Sequence, residues 1–270
     1  MTKKRAILIG IVIIVLSFAY TLLFGKLFPF SPVAIGFTRH ELPHTVIYVQ
    51  DGSKFTNYSL IDNCTINVEM FHQLKFKRKP VLYIFSSKAS YFRRTTARTR
   101  FCVYPNGSMV IAPWSINEAK NGIISLEIYI THELSHVLLQ QNMSYYAAYR
   151  YPPWLMEGIA VYSSHQMGTS WYPDKRTTYD LIRHNNFFPP NLYKTDREDS
   201  IPLHVENRIA FMYSEFACIV DYLITQYGEE KFYRYMKGLF HNHNHDQFFN
   251  EIYNIEFHDF LKEFIASVHT

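Results

Sequence analysis

His132, Glu133 and His136 belong to the string His-Glu-Leu-Ser-His, and Glu157 follows 21 residues later in Trp-Leu-Met-Glu-Gly-Ile-Ala. On an α-helix, residues four apart share one face, so both imidazoles project toward the same point. Two imidazoles hold Zn²⁺ weakly, and a catalytic zinc site takes three protein ligands while leaving one position for water. Glu157 comes just after the break Pro152-Pro153 and opens a second apolar helical stretch, which makes it the expected third ligand. Glu133 is then placed to serve as general base toward that water. The reading is a zinc hydrolase, and it demands a fold in which two helices meet at one point. The competing reading is a polar helix face carrying two solvated histidines.

The chain begins Met-Thr-Lys-Lys-Arg, and the 19 residues from Ala6 to Phe24 carry no charge. Such a run is long enough to cross a bilayer as a helix. Lys3, Lys4 and Arg5 would remain cytoplasmic, placing everything after Lys26 on the far side of the membrane. An uncleaved signal-anchor is favoured over a cleaved signal peptide. The run is long for the latter, and its exit, Leu22 to Pro29, lacks a clear small-x-small cleavage site. A chain directed outside the cytoplasm is not expected to meet nucleic acid. Cys64, Cys102 and Cys218 are too few for a disulfide framework, although Cys64 and Cys102 could pair in an oxidising compartment. Lys75 to Arg100 holds nine cations and no acid, and reads as a solvated face before it reads as a binding patch.

Residues 1–28 are thus expected to form the cytoplasmic stub and transmembrane helix, with 29–43 a linker. Residues 44–270 form one catalytic domain, with 44–78 as a possible N-terminal lobe. Thr45–Gln50 and Pro80–Ser86 read as strands, and Asp62–Lys75 could be a helix. Arg100–Tyr104 and Met109–Ala112 flank the turn residues Pro105-Asn106-Gly107-Ser108, as in a hairpin. From Ile123 onward the apolar spacing becomes helical. Helices are expected over Ile123–Gln140, Leu155–Ser164, Thr177–Asn185, Glu206–Tyr227, Glu229–Phe240 and His258–Val268, with Gly228 as a helix cap. Strands followed by helices suit an α+β fold: a small mixed or antiparallel sheet packed on the zinc-binding helix, then a mainly helical C-terminal half.

The two metal-site strings resemble the gluzincin metallopeptidases, whose ligands are two helical histidines and a downstream glutamate. The stretches Arg208–Phe216, Val220–Phe232 and Phe249–Phe260 resemble the peptidase MA-like domain in particular. The likeness spans about Pro80 to Val268 and implies a metallopeptidase with one Zn²⁺ per chain and a peptide or protein substrate. It also implies that a tyrosine on a later helix stabilises the oxyanion, a role carried here by Tyr213, with Tyr162 and Tyr222 considered beside it.

Gluzincin aminopeptidases carry a Gly-x-Met-Glu-Asn string that holds the substrate's free amino terminus. The corresponding stretch, Gly107 to Pro113, has no acidic residue, so aminopeptidase activity is not expected. Met109–Ala112 is expected instead to be an edge strand that pairs with an extended substrate. The leading expectation is a membrane-anchored, extracytoplasmic zinc metallopeptidase. The alternative is a catalytically inactive peptidase fold that binds or regulates at the cell surface. Hydrolysis of a non-peptide amide at the same centre also stays open. Neither the substrate nor the oligomeric state follows from the sequence. His241, His243 and His245 read as a polar loop rather than a metal site.

Overall fold

The computed structural model describes residues 3–242 and 244–269, apart from the side chain of Ala6. The chain divides into two compact units, Met1–Asn63 with Lys79–Gly122, and Cys64–Arg78 with Ile123–Thr270. The whole is mixed α+β, with one small sheet and a helical C-terminal half.

The first unit opens with helix α1 (Lys3–Leu23), whose 21 residues include an 18-residue window of mean hydropathy 2.7, long and apolar enough to cross a membrane. Strands β1 (Phe37–Glu41) and β2 (Val46–Gln50) follow, then helix α2 (Tyr58–His72), which begins in the first unit and ends in the second. Strand β3 (Val81–Ile84), helix α3 (Lys88–Arg94), strands β4 (Phe101–Val103) and β5 (Ser108–Ile111), and helix α4 (Pro113–Lys120) complete it.

The sheet order is β1-β2-β3-β5-β4. The three inner strands run parallel, with Tyr48 opposite Tyr83 and Tyr83 opposite Val110, and both edge strands are antiparallel to their neighbours. Val-Leu-Tyr-Ile and Ser-Met-Val-Ile are near-continuous buried runs, as strands covered on both faces require. The hairpin β4–β5 turns where expected, with Gly107 supplying a φ of +76°.

Two expectations are corrected here. Met109–Ala112 is not an edge: β5 lies between β3 and β4, and its hydrogen-bonding groups are already engaged on both sides. Nor is 29–43 wholly a linker, because Phe37–Glu41 forms the edge strand β1, and Phe28 is fully buried against Phe37, Tyr83 and Phe85. Part of the basic stretch is also structural. Buried Arg94 donates to the Ile35 carbonyl (2.8 Å), and its guanidinium lies over the rings of Phe28, Phe24 and Phe37. Lys26 donates to the carbonyls of Phe92 and Thr95, capping the open C-terminal end of α3.

The second unit contains the end of α2 and helices α5 (Leu126–Asn142), α6 (Tyr145–Arg150), α7 (Pro153–Ser163), α8 (Lys175–Arg183), α9 (Arg208–Tyr227), α10 (Glu229–Gly238), α11 (His245–Tyr253) and α12 (Phe257–Val268). Their starts are written in the sequence. Ser125 accepts from the Ile128 N–H at the head of α5, Pro153 occupies the first turn of α7, and Asn207 accepts from the Ala210 N–H at the head of α9. Gly228, at φ +90°, ends α9 and begins α10. Leu155, Ile159, Phe216, Ile219, Leu223, Phe249 and Phe260 share one apolar core in this unit. Gly158 lets α7 and α9 approach backbone to backbone, since a Cβ there would stand 2.7 Å from the Phe216 carbonyl oxygen.

Cys64 and Cys218 are free, buried thiols. Cys64 is buried, with its Sγ 3.7 Å from the Glu127 carbonyl. Of the three histidines in the 241–245 region, His243 lies outside the described residues. His245 is packed against Trp154, Tyr235 and Phe257, so it is part of the aromatic core rather than a solvated loop.

Candidate metal centre

Helix α5 presents His132 and His136 from one face, and α7 brings Glu157 to them. The two Nε2 atoms stand 3.1 Å apart. Glu157 Oε2 is 3.5 Å from His132 Nε2 and 3.3 Å from His136 Nε2. All three residues are buried.

The donor set can be tested against a metal. In a tetrahedral site with ligands about 2.0–2.1 Å from zinc, the ligand atoms stand roughly 3.3–3.4 Å from each other. The three observed edges lie on either side of that figure. The chemistry fits as well: two neutral imidazoles and one carboxylate form a three-ligand set with an open position. His132 Nδ1 and His136 Nδ1 are buried without a hydrogen-bond partner among the described residues, so the rings are not held in place by some other polar role.

The surrounding charges set the protonation states. Burial disfavours ionised Glu157, but the His136 and His132 imidazoles on its oxygen outweigh that cost and hold its carboxyl well below the usual range. Glu133 sits between the histidines on α5. Burial pushes its carboxyl up to about 7, with His132 opposing and Glu157 adding to the rise. A carboxyl poised there both accepts and returns a proton near neutral pH.

Tyr213, on α9, places its ring 6.4 Å from that of His132, with the planes nearly parallel at 12°. Tyr162 and Tyr222 lie elsewhere: Tyr162 packs on Phe71 and interacts with Asp221, and Tyr222 packs on Phe260 and Phe264. Burial, then the Glu157 charge, pushes the Tyr213 phenol far up, so it stays a neutral donor.

Two residues at this site escaped the sequence. The Tyr193 hydroxyl is 2.8 Å from the Tyr213 hydroxyl. Lys194 Nζ is 3.4 Å from Glu157 Oε1, the oxygen that does not face the histidines. Both residues follow a short 3-10 turn, Pro190–Leu192, where the sequence has no helical or strand period to mark them. Behind α5, His72 donates from Nδ1 to the Val68 carbonyl (2.8 Å) and accepts at Nε2 from the Ser135 hydroxyl (2.8 Å). A carbonyl can only accept, which fixes the tautomer.

The fold is the one seen in M1 zinc metallopeptidases. A solved structure of a single-substitution mutant of the M1 zinc metallopeptidase from Deinococcus radiodurans aligns with a TM-score of 0.51 and 12% identity over 84% of this chain. The chain spans half of that protein's length (50%). A structure titled simply as the M1 zinc metallopeptidase from Deinococcus radiodurans aligns at 0.47, with 12% identity over 86% of this chain and 49% of the other. No family model matches the chain, and no curated protein matches it.

Proposed function

We propose that this protein is a zinc metallopeptidase of the gluzincin type, related to the peptidase MA-like domains, anchored by α1 with its catalytic part outside the cytoplasm. The convergence of His132 Nε2, His136 Nε2 and Glu157 Oε2 within 3.1–3.5 Å of one another carries the reading. The M1-type fold supports it. An N-terminal helix apolar enough to span a bilayer, with Lys3, Lys4 and Arg5 in its first turn, supports the anchoring and its direction. The absence of an acid between Gly107 and Pro113 argues against aminopeptidase specificity.

His132, His136 and Glu157 would hold the ion. When bound, zinc would supply a Lewis acid that polarises the scissile carbonyl and makes a water acidic enough to attack near neutral pH. Glu133 takes the proton of the attacking water on a carboxylate oxygen and returns it to the leaving amine. The Tyr213 O–H is free to donate to the oxygen on which negative charge grows when the Tyr193 hydroxyl, 2.8 Å away in a pair where either oxygen can donate, takes the donor's part. A donor that also accepts a hydrogen bond is polarised by it, which strengthens its own donation.

The test uses the full chain in detergent. Metal content should be about one zinc per chain in the wild type and be lost in a His132→Ala, His136→Ala variant. Glu133→Gln should keep the metal and lose peptide cleavage. Metal without turnover on any peptide would leave a binding module on a peptidase fold. Failure to take up zinc would remove the metal-centre reading altogether.

A further inference from the structure

Lys194 is built into the site by contacts distant in sequence. Before it, the Phe188 N–H donates to both carboxyl oxygens of buried Glu215 on α9, at 3.2 Å each. After it, Arg208 at the head of α9 donates to the carbonyls of Glu198 (2.8 Å) and Ile201 (2.9 Å). The strap from 188 to 201 is therefore stapled at both ends to the helix that carries Tyr213. At its middle, Lys194 adopts φ +59°, a left-handed conformation that costs a non-glycine residue free energy. The Glu198 carboxylate holds it there by accepting from the Lys194 N–H at 2.8 Å.

The result is an ammonium held 3.4 Å from Glu157 Oε1, the oxygen turned away from the histidines. Its side chain is 57% exposed, while that of Glu157, its partner, is 10% exposed. A half-exposed cation beside a buried ligand carboxylate is open to a second anion arriving from solvent. A bound metal would strengthen that opening, because the Glu157 charge would then be shared with the ion and would hold Lys194 less firmly.

Resting on the metallopeptidase reading, we propose that Lys194 determines specificity: it receives a substrate carboxylate, selecting peptides whose free C-terminal carboxylate lies next to the scissile bond. The stretch that would hold an amino terminus has no acid, and the strap supplies a cation instead. When the last residue is the leaving group, its carboxylate carbon stands three bonds beyond the scissile carbonyl carbon. Succinic acid monohydroxamate reproduces that spacing behind a metal-binding hydroxamate, and acetohydroxamate lacks the carboxylate.

Binding of both probes to the zinc-equilibrated full chain, measured by calorimetry, tests the assignment without any turnover. The wild type should prefer the succinic probe by roughly three- to tenfold, with the preference shrinking as salt is raised. Lys194→Met should abolish the preference, read as the ratio of the two probes' affinities, and Lys194→Arg should retain it. A wild-type preference below about twofold, or one that Lys194→Met leaves intact, overturns the role of Lys194 alone. If neither probe binds the wild type, the metal-centre reading falls and the substrate class falls with it.

Discussion

Gly158 lies against Phe216 so closely that a Cβ on the glycine would sit 2.7 Å from the phenylalanine's carbonyl oxygen and 2.9 Å from its carbonyl carbon. These atoms belong to helix backbone and have no rotamer through which to move aside. Gly158 follows Glu157, and Phe216 lies three residues after Tyr213, so this contact fixes the distance between the proposed ligand and the proposed oxyanion donor. Gly158→Ala should lower stability by about 1–3 kcal/mol, an overpacking cost readable as a fall in thermal midpoint. It should also weaken zinc binding, measured by chelator competition. An unchanged midpoint would mean that α7 and α9 can part at this contact without loss of stability.

Glu215 is a buried acid whose carboxyl is pushed well above its usual value by burial, with the Phe188 N–H opposing. Folding therefore takes up a proton whenever the pH exceeds the unfolded value near 4.5. Each unit by which the pH exceeds that value, up to the folded pKa, costs about 1.4 kcal/mol of stability. Glu215→Gln should raise the thermal midpoint at pH 7.5, with the gain vanishing near pH 4. Glu215→Ala should lower it, because the Phe188 N–H is left unpaired. A Gln variant less stable than wild type at pH 7.5 would show that the carboxyl is ionised in the fold.

His72 acts with the opposite sign. Burial depresses its imidazole to about 4, so the unfolded chain binds the extra proton between pH 6.5 and 4. Stability should fall as the pH drops through that window, by about 3 kcal/mol once it reaches 4. Denaturant melts of wild type and His72→Gln between pH 4 and 7.5 would read the difference. Parallel pH dependences in the two proteins would rule out this contribution.

Under the proposed mechanism the paired phenols divide into a donor, Tyr213, and its support, Tyr193. Tyr213→Phe should leave zinc content intact and lower kcat by about 10²–10³, with KM nearly unchanged, because the bond matters most as charge develops. Tyr193→Phe should lower kcat by about tenfold or less, since it removes one net hydrogen bond at second remove. Equal losses in the two variants would mean that the hydroxyls act as one unit or that Tyr193 is itself the donor.

The His132–His136–Glu157 cluster was legible because its spacing is local. His132 and His136 share a helix face by periodicity alone, and the Pro152-Pro153 break announces the helix that carries Glu157. The helical half followed from the same periodicity, and the boundaries of α7, α9 and α12 fall within one or two residues of those expected. What could not be read depends on contacts distant in sequence. Phe37–Glu41 is a short, polar edge strand with no alternation to betray it, and only pairing with β2 makes it a strand. The seven residues of α3 include Arg93 and Arg94, and they read as a solvated run because nothing local shows that Arg94 is enclosed by Phe24, Phe28 and Phe37. Lys194 stands in an aperiodic strap whose course is set by Glu215 and Arg208, so no string of neighbours could point to it.

The burial of Phe28 bears on how this protein can be handled. With no solvent exposure, that ring is a wedge between Phe37, Tyr83 and Phe85, and Lys26 ties the same turn to the end of α3. The turn that follows α1 is thus a keystone of the first unit rather than slack rope. Trimming the chain at residue 31 to obtain a soluble form would pull that wedge and open a hole costing about 3–5 kcal/mol. A shortened protein that begins at Gly25 keeps both Lys26 and Phe28, and should melt higher than one that begins six residues later.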